Sequence, residues 1–91
     1  MRLVFRVHAI ERMFRRRIDE EDVRHVLNSG ETIENYPTDT PYPSRLVLGW
    51  RGSRPIHVVA AENSESGKIF VVTVYEPDPN LWEPGFRRKR S

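Results

Sequence analysis

The hydrophobic period of this chain changes once, at Asn28-Ser29-Gly30, and that change constrains the fold more than any other feature. Before it, apolar residues recur at helical spacing; after it, they alternate as they do in strands. A chain of 91 residues has room for a single core. Helices and strands must therefore pack as two layers of one α+β domain.

Leu3 to Val7 reads as a short first strand. His8 to Arg17 reads as a helix with Ile10, Met13 and Phe14 as its buried stripe. Glu11 and Arg15 stand one turn apart on the outer side, which leaves His8, Arg12 and Arg16 along a polar flank. The second helix has the clearest start signal: Asp19 as N-cap, Asp22 at N3, and Ile18 placed to staple against Val23. Glu20, Glu21 and Asp22 lie at the positive end of its dipole. Val23, Val26 and Leu27 form its inner face.

Strands are expected over Glu31 to Tyr36, Arg45 to Trp50, Pro55 to Glu62 and Lys68 to Tyr75. A Pro-rich loop over 37–43 and turns at 51–54 and 63–67 separate them. Lys68 to Tyr75 is the most apolar and is expected at the centre of the sheet. The expected architecture is a short N-terminal strand and two helices packed on a curved antiparallel sheet of three to four strands. Both helices cover one face, leaving the other partly open. The domain is expected over 1–81, with 82–91 as a basic tail.

The absence of cysteine excludes disulfides, thiolate catalysis and cysteine-based zinc sites. Three histidines without metal-ligand spacing make a metal or cofactor unexpected. No apolar run approaches the roughly 20 residues that span a bilayer, and Arg6 interrupts an N-terminal segment too short for a signal sequence. A cytoplasmic protein is the expectation. The formal net charge is only +2, yet basic residues concentrate in Arg12 to Arg17 and Arg87 to Arg90. Arginine's planar fork suits bidentate phosphate contacts, and salt-bridged helix faces account for such runs equally well.

Three strings carry a family resemblance: His8-Ala9-x-x-Arg12-Met13, Arg17-Ile18-x-x-x-Asp22-Val23 and Gly30-Glu31-x-Ile33-Glu34-x-Tyr36. They continue through Pro43-Ser44-x-Leu46, Ile56-His57-Val58-Val59 and Thr73-Val74-Tyr75-x-Pro77-Asp78, with Trp82 and Phe86 beyond. In this order they resemble the DUF4258 family. That family is similar to the RelE-like and barnase-like nuclease superfamily, which includes toxins of bacterial toxin–antitoxin pairs. The resemblance implies a RelE-like fold, RNA as partner (ribosome-associated mRNA included), a cognate antitoxin protein, and metal-independent RNA cleavage as the activity to test.

Such cleavage needs a base for the ribose 2′-OH, an acid for the leaving 5′-oxygen, and donors for the charged phosphoryl oxygens. Histidine serves either proton role. His57, on the opposite strand face from Ile56 and Val58, is the leading catalytic candidate, with His8 and Tyr75 beside it. Arg12, Arg16, Arg87 and Arg88 are the candidates for substrate binding, and Arg90 belongs to the same basic run. Each residue has a plainer role available. His8 suits a helix start, Arg12 a pair with a carboxylate such as Glu34, His57 a hydrogen-bonded core position, and Tyr75 the edge of the core. Trp50, Trp82 and Phe86 suit covering the sheet or anchoring the tail. Alanine at His57 or Arg12 is expected to abolish cleavage without unfolding the domain. The alternatives are a non-catalytic RNA- or protein-binding module and a structural domain whose site has decayed.

Overall fold

The computed structural model describes residues 1–91. The elements, in chain order, are β1 (Arg2–Phe5), α1 (Val7–Arg16), α2 (Glu20–Ser29), β2 (Glu31–Tyr36), β3 (Ser44–Arg51), β4 (Arg54–Asn63) and β5 (Lys68–Tyr75). They build one five-stranded sheet in the order β1-β5-β4-β3-β2. The domain is α+β, but the sheet is mixed and larger than expected. β1 joins it parallel to β5, with Leu3 opposite Ile69, while all other pairs are antiparallel. A parallel neighbour needs a long crossover, and here it takes in both helices and the three strands between Phe5 and Lys68. The middle strand is β4; the apolar β5 is interior because β1 and β4 flank it.

Both helices pack on one face of the sheet, α1 over β5 and α2 over β3 and β4. The core between the layers holds Ala9, Ile18, Val23, Val26, Val47, Ile56, Val58, Ala60, Ile69, Val71 and Val74. Gly49 lets α2 lie close on β3, since a Cβ there would stand 2.8 Å from Val26 Cγ2. The capping box of α2 forms as expected, Asp22 N–H donating to Asp19 at 2.8 Å and Asp19 N–H to Asp22 at 3.0 Å. Ile18 and Val23 are both buried beside it.

Helix α1 is rotated from the expected orientation. Its inward side is the fully buried Ala9 with the partly buried Met13, while Ile10 is 52% and Phe14 86% exposed. Small Ala9 lets the helix lie close on β5, where a bulkier residue would hold it off. Arg17 in the left-handed region ends the helix (φ 54°), and Ile18 N–H returns to the Met13 carbonyl at 2.9 Å. The Arg54 guanidinium then caps α1 by donating to the carbonyls of Arg16 and Arg17, and Glu76 accepts from its Nε at 3.1 Å. A cation at the negative end of a helix satisfies otherwise unpaired carbonyls. Glu11 and Arg15 do not close into an ion pair.

The segment after β5 covers one end of the sheet's second face. Leu81 to Arg90 folds into a strap, with Trp82 bridged to Lys89, Arg90 N–H bonded to Leu81 O at 2.9 Å and Glu83 N–H to Arg88 O at 2.8 Å. Trp82 is buried, and Phe86 meets Trp50 edge-on at a centroid distance of 6.0 Å. Arg87 ties the strap to β2 through Glu31 at 2.6 Å. No helix is long and apolar enough to cross a membrane.

Candidate functional site

Alternation along β4 sends Ile56 and Val58 into the helix-side core and His57 to the second face. There the strand register lines up Tyr75, His57, Leu48 and Glu31 in one row, and Thr73, Val59, Leu46 and Glu34 in the next. Tyr36 follows Glu34 on the same side of β2, opposite Ser44. The strap covers the His57 end of this face, and the half-buried Tyr75 lies at its margin.

His57 is 0% exposed, and both ring nitrogens are bonded. Nε2 lies 2.9 Å from the Phe86 carbonyl oxygen, and Nδ1 lies 3.1 Å from the Tyr75 hydroxyl. A carbonyl only accepts, so Nε2 carries the proton, Nδ1 is the acceptor, and Tyr75 donates its hydroxyl proton to it. Gly85 and Phe86 both adopt positive φ, 91° and 59°, in the turn that presents this carbonyl. Trp82 closes the ring edge-on at 4.5 Å, and Tyr75 packs at 5.2 Å.

Burial holds the His57 pKa below its ordinary 6.5, with the Phe86 carbonyl opposing part of that effect, so the ring is neutral at pH 7. Burial also raises the Tyr75 pKa, and the nearby Tyr36 and Glu34 add to the rise. Tyr36 is raised by burial, then by Glu34 and Asp39. Both phenols stay protonated through the neutral range. The arrangement is a phenol whose proton already points at a neutral imidazole, with a second phenol and a carboxylate in electrostatic reach.

The His57 shift has a consequence for stability. In the unfolded chain the imidazole takes up a proton below about pH 6.5, and in the fold it resists doing so. The associated stability is fully present above pH 6.5 and is lost as the pH falls toward the lowered folded value. The expected slope is at most about 1.4 kcal/mol per pH unit for one proton. Urea unfolding between pH 7.5 and 5.5 measures it; a flat profile would contradict a neutral, buried His57.

The expected site residues divide into two groups. His57 and Tyr75 meet on the second face, where Arg87 arrives with the strap. His8, Arg12 and Arg16 belong to α1 on the helix side, His8 and Arg16 exposed and Arg12 partly buried. Arg12 makes no ion pair, with Glu34 or any other carboxylate. Arg88 is exposed, and Arg90 Nε donates to the Pro79 carbonyl at 2.9 Å. Sequence reasoning missed Glu34, Tyr36 and the Phe86 carbonyl. The two-residue spacing of Glu34 and Tyr36 was the available signal for a shared face.

A two-helix layer on a five-stranded mixed sheet, with a phenol–imidazole pair on the opposite face, defines an α+β domain of definite topology. The family described as a domain of unknown function, DUF4258, matches residues 5–76, and the chain belongs to that family. The match takes in every helix and nearly all of the sheet and ends one residue beyond β5, before the strap. No curated protein and no solved structure matches the chain significantly.

Proposed function

We propose that this domain is a metal-independent endoribonuclease of the toxin type, related to the RelE-like and barnase-like superfamily, acting on single-stranded or ribosome-bound RNA. The observation that carries the reading is the hydrogen bond from Tyr75 to the buried, neutral His57. The Tyr75 oxygen accepts the ribose 2′ proton while its own proton passes to His57 Nδ1, and the Phe86 carbonyl steadies the resulting imidazolium. The 2′-oxygen forms a bond to phosphorus, the bond from phosphorus to O5′ breaks, and O5′ takes the Tyr36 proton. The products are a 2′,3′-cyclic phosphate and a 5′-hydroxyl. Arg88 supplies charge from the strap, and Arg87 adds to it by exchanging its Glu31 partner for the phosphate. In this account His57 acts through Tyr75 without touching RNA, which revises the direct role expected from the sequence. His8, Arg12 and Arg16 have no part in the step.

A second reading, a non-catalytic binding module, draws on the same site. His57 is fully buried with both nitrogens satisfied, as structural histidines are, and Glu34 disfavours a phosphate beside Tyr75.

Purified protein incubated with single-stranded RNA in EDTA separates the two readings. Cleavage leaving cyclic-phosphate or 3′-phosphate ends, with growth arrest on induction, is the expected result. Intact RNA with and without ribosomes, together with normal growth, would leave the module.

A further inference from the structure

At the end of the second face away from the strap, alternation along β1 and β5 brings Val4, Arg6 and Phe70 together. Leu3, Phe5, Ile69 and Val71 between them point into the core. The Arg6 guanidinium lies over the half-buried Phe70 ring, its Cζ 4.9 Å from the centroid. Tyr42 stacks on the same ring at 5.5 Å and 11°, and its hydroxyl accepts from Asn63 Nδ2 at 3.2 Å. Arg24, Arg45, Arg54, Arg87 and Arg90 donate to partners within the chain, and Arg51 pairs with Asp22. The exposed Arg6 has no such partner, and no other arginine is laid on an aromatic ring. Neither β1 nor β5 carries a carboxylate. Glu62 pairs with Arg45 on the helix side and Asp39 accepts from Ser44, while neither Glu65 nor Glu11 pairs with Arg6.

A guanidinium held flat on a ring loses less freedom on binding, and its N–H fork matches phosphate oxygens. We propose that Arg6, with the Phe70–Tyr42 stack that supports it, is a subsite for single-stranded RNA. A phosphate sits on the N–H edge of Arg6, and the adjoining base lies on its open face. The proposal rests on the reading of the second face as the RNA side. Phe70 stands five residues before Tyr75 on β5, about 16 Å at roughly 3.3 Å per residue. The subsite therefore holds a nucleotide beyond the two that flank the cut. Glu34, across the sheet on β2, repels the phosphate backbone, so the RNA leaves Tyr75 along β5. An acidic peptide would match the charge of Arg6 and leave its flat face uncovered.

The probe is a labelled 2′-O-methyl oligouridylate, which lacks the attacking hydroxyl and stays intact, titrated against the full chain by fluorescence anisotropy. Arg6→Gln should weaken binding about tenfold, the worth of one charge-assisted contact. Arg6→Lys keeps the charge without the planar fork and should recover only part of the loss. Arg15→Gln, which removes the same charge from the outer side of α1, should change affinity about twofold or less. Circular dichroism should be the same for all, because both side chains are exposed. With cleavable RNA, Arg6→Gln should raise KM on a long oligouridylate and leave a dinucleotide unaffected. Equal losses for Arg6→Gln and Arg15→Gln, full recovery by lysine, or equal KM on long RNA overturn the subsite while leaving the cleavage reading intact. RNA bound through Arg6 but never cut overturns the cleavage reading and leaves the subsite standing. A wild type that ignores the oligouridylate, or binds polyglutamate as tightly, overturns the subsite.

Discussion

Replacing His57 by alanine is expected to cost at least about 4 kcal/mol of folding stability, more than any other substitution proposed for this domain. Truncating a buried side chain of this size leaves a cavity worth about 2–5 kcal/mol. The Tyr75 hydroxyl and the Phe86 carbonyl also lose their partner, at about 1 kcal/mol or more for each buried group left unpaired. A 91-residue domain has on the order of 5–14 kcal/mol in all. The variant should therefore fold with a strongly lowered urea midpoint and a loosened strap, because Trp82 packs on the same ring. Loss of activity in that variant would not by itself identify a catalytic group, even though the domain, as expected from the sequence, stays folded. A loss below about 1 kcal/mol would contradict the burial and bonding of His57.

Tyr75→Phe separates chemistry from structure. Phenylalanine keeps the ring that packs against His57 and removes one oxygen. Its stability cost should be about 1 kcal/mol, since one hydrogen bond is lost from a half-buried position. The cleavage rate should fall by about 10²-fold or more, the usual contribution of a positioned proton acceptor. Thermal unfolding and the cleavage rate measured on one preparation give both quantities.

What the sequence made legible was local. Asp19, Asp22, Ile18 and Val23 fall within five residues, so their capping box and apolar contact could be read directly. The turns at 51–54 and 63–67 and the opposite facing of His57 from Ile56 and Val58 follow from strand alternation. The rotation of α1 was not legible beyond Met13, because Ala9 with Met13 and Ile10 with Met13 and Phe14 both satisfy a helical period. Hydrophobicity favours the second set; the close approach that only small Ala9 allows decides for the first. The β1–β5 pairing joins residues at opposite ends of the chain, with no nearby signal. The anchoring of the tail by Trp82 and Phe86 was readable from their type. That the strap would seal His57 was not, because it depends on the positive-φ turn at Gly85 and Phe86. Glu34 and Tyr36 were visible as a same-face pair, but their reach toward Tyr75 spans four strands.

The cleavage account rests on one proton path, and one measurement tests it most directly. A single-stranded oligoribonucleotide in EDTA is followed under single-turnover conditions with wild type and Tyr75→Phe at equal folded fraction. The account predicts cleavage to a cyclic phosphate by wild type and a rate about 10²-fold lower for the variant. Equal rates, or RNA left intact by the wild type, would contradict it.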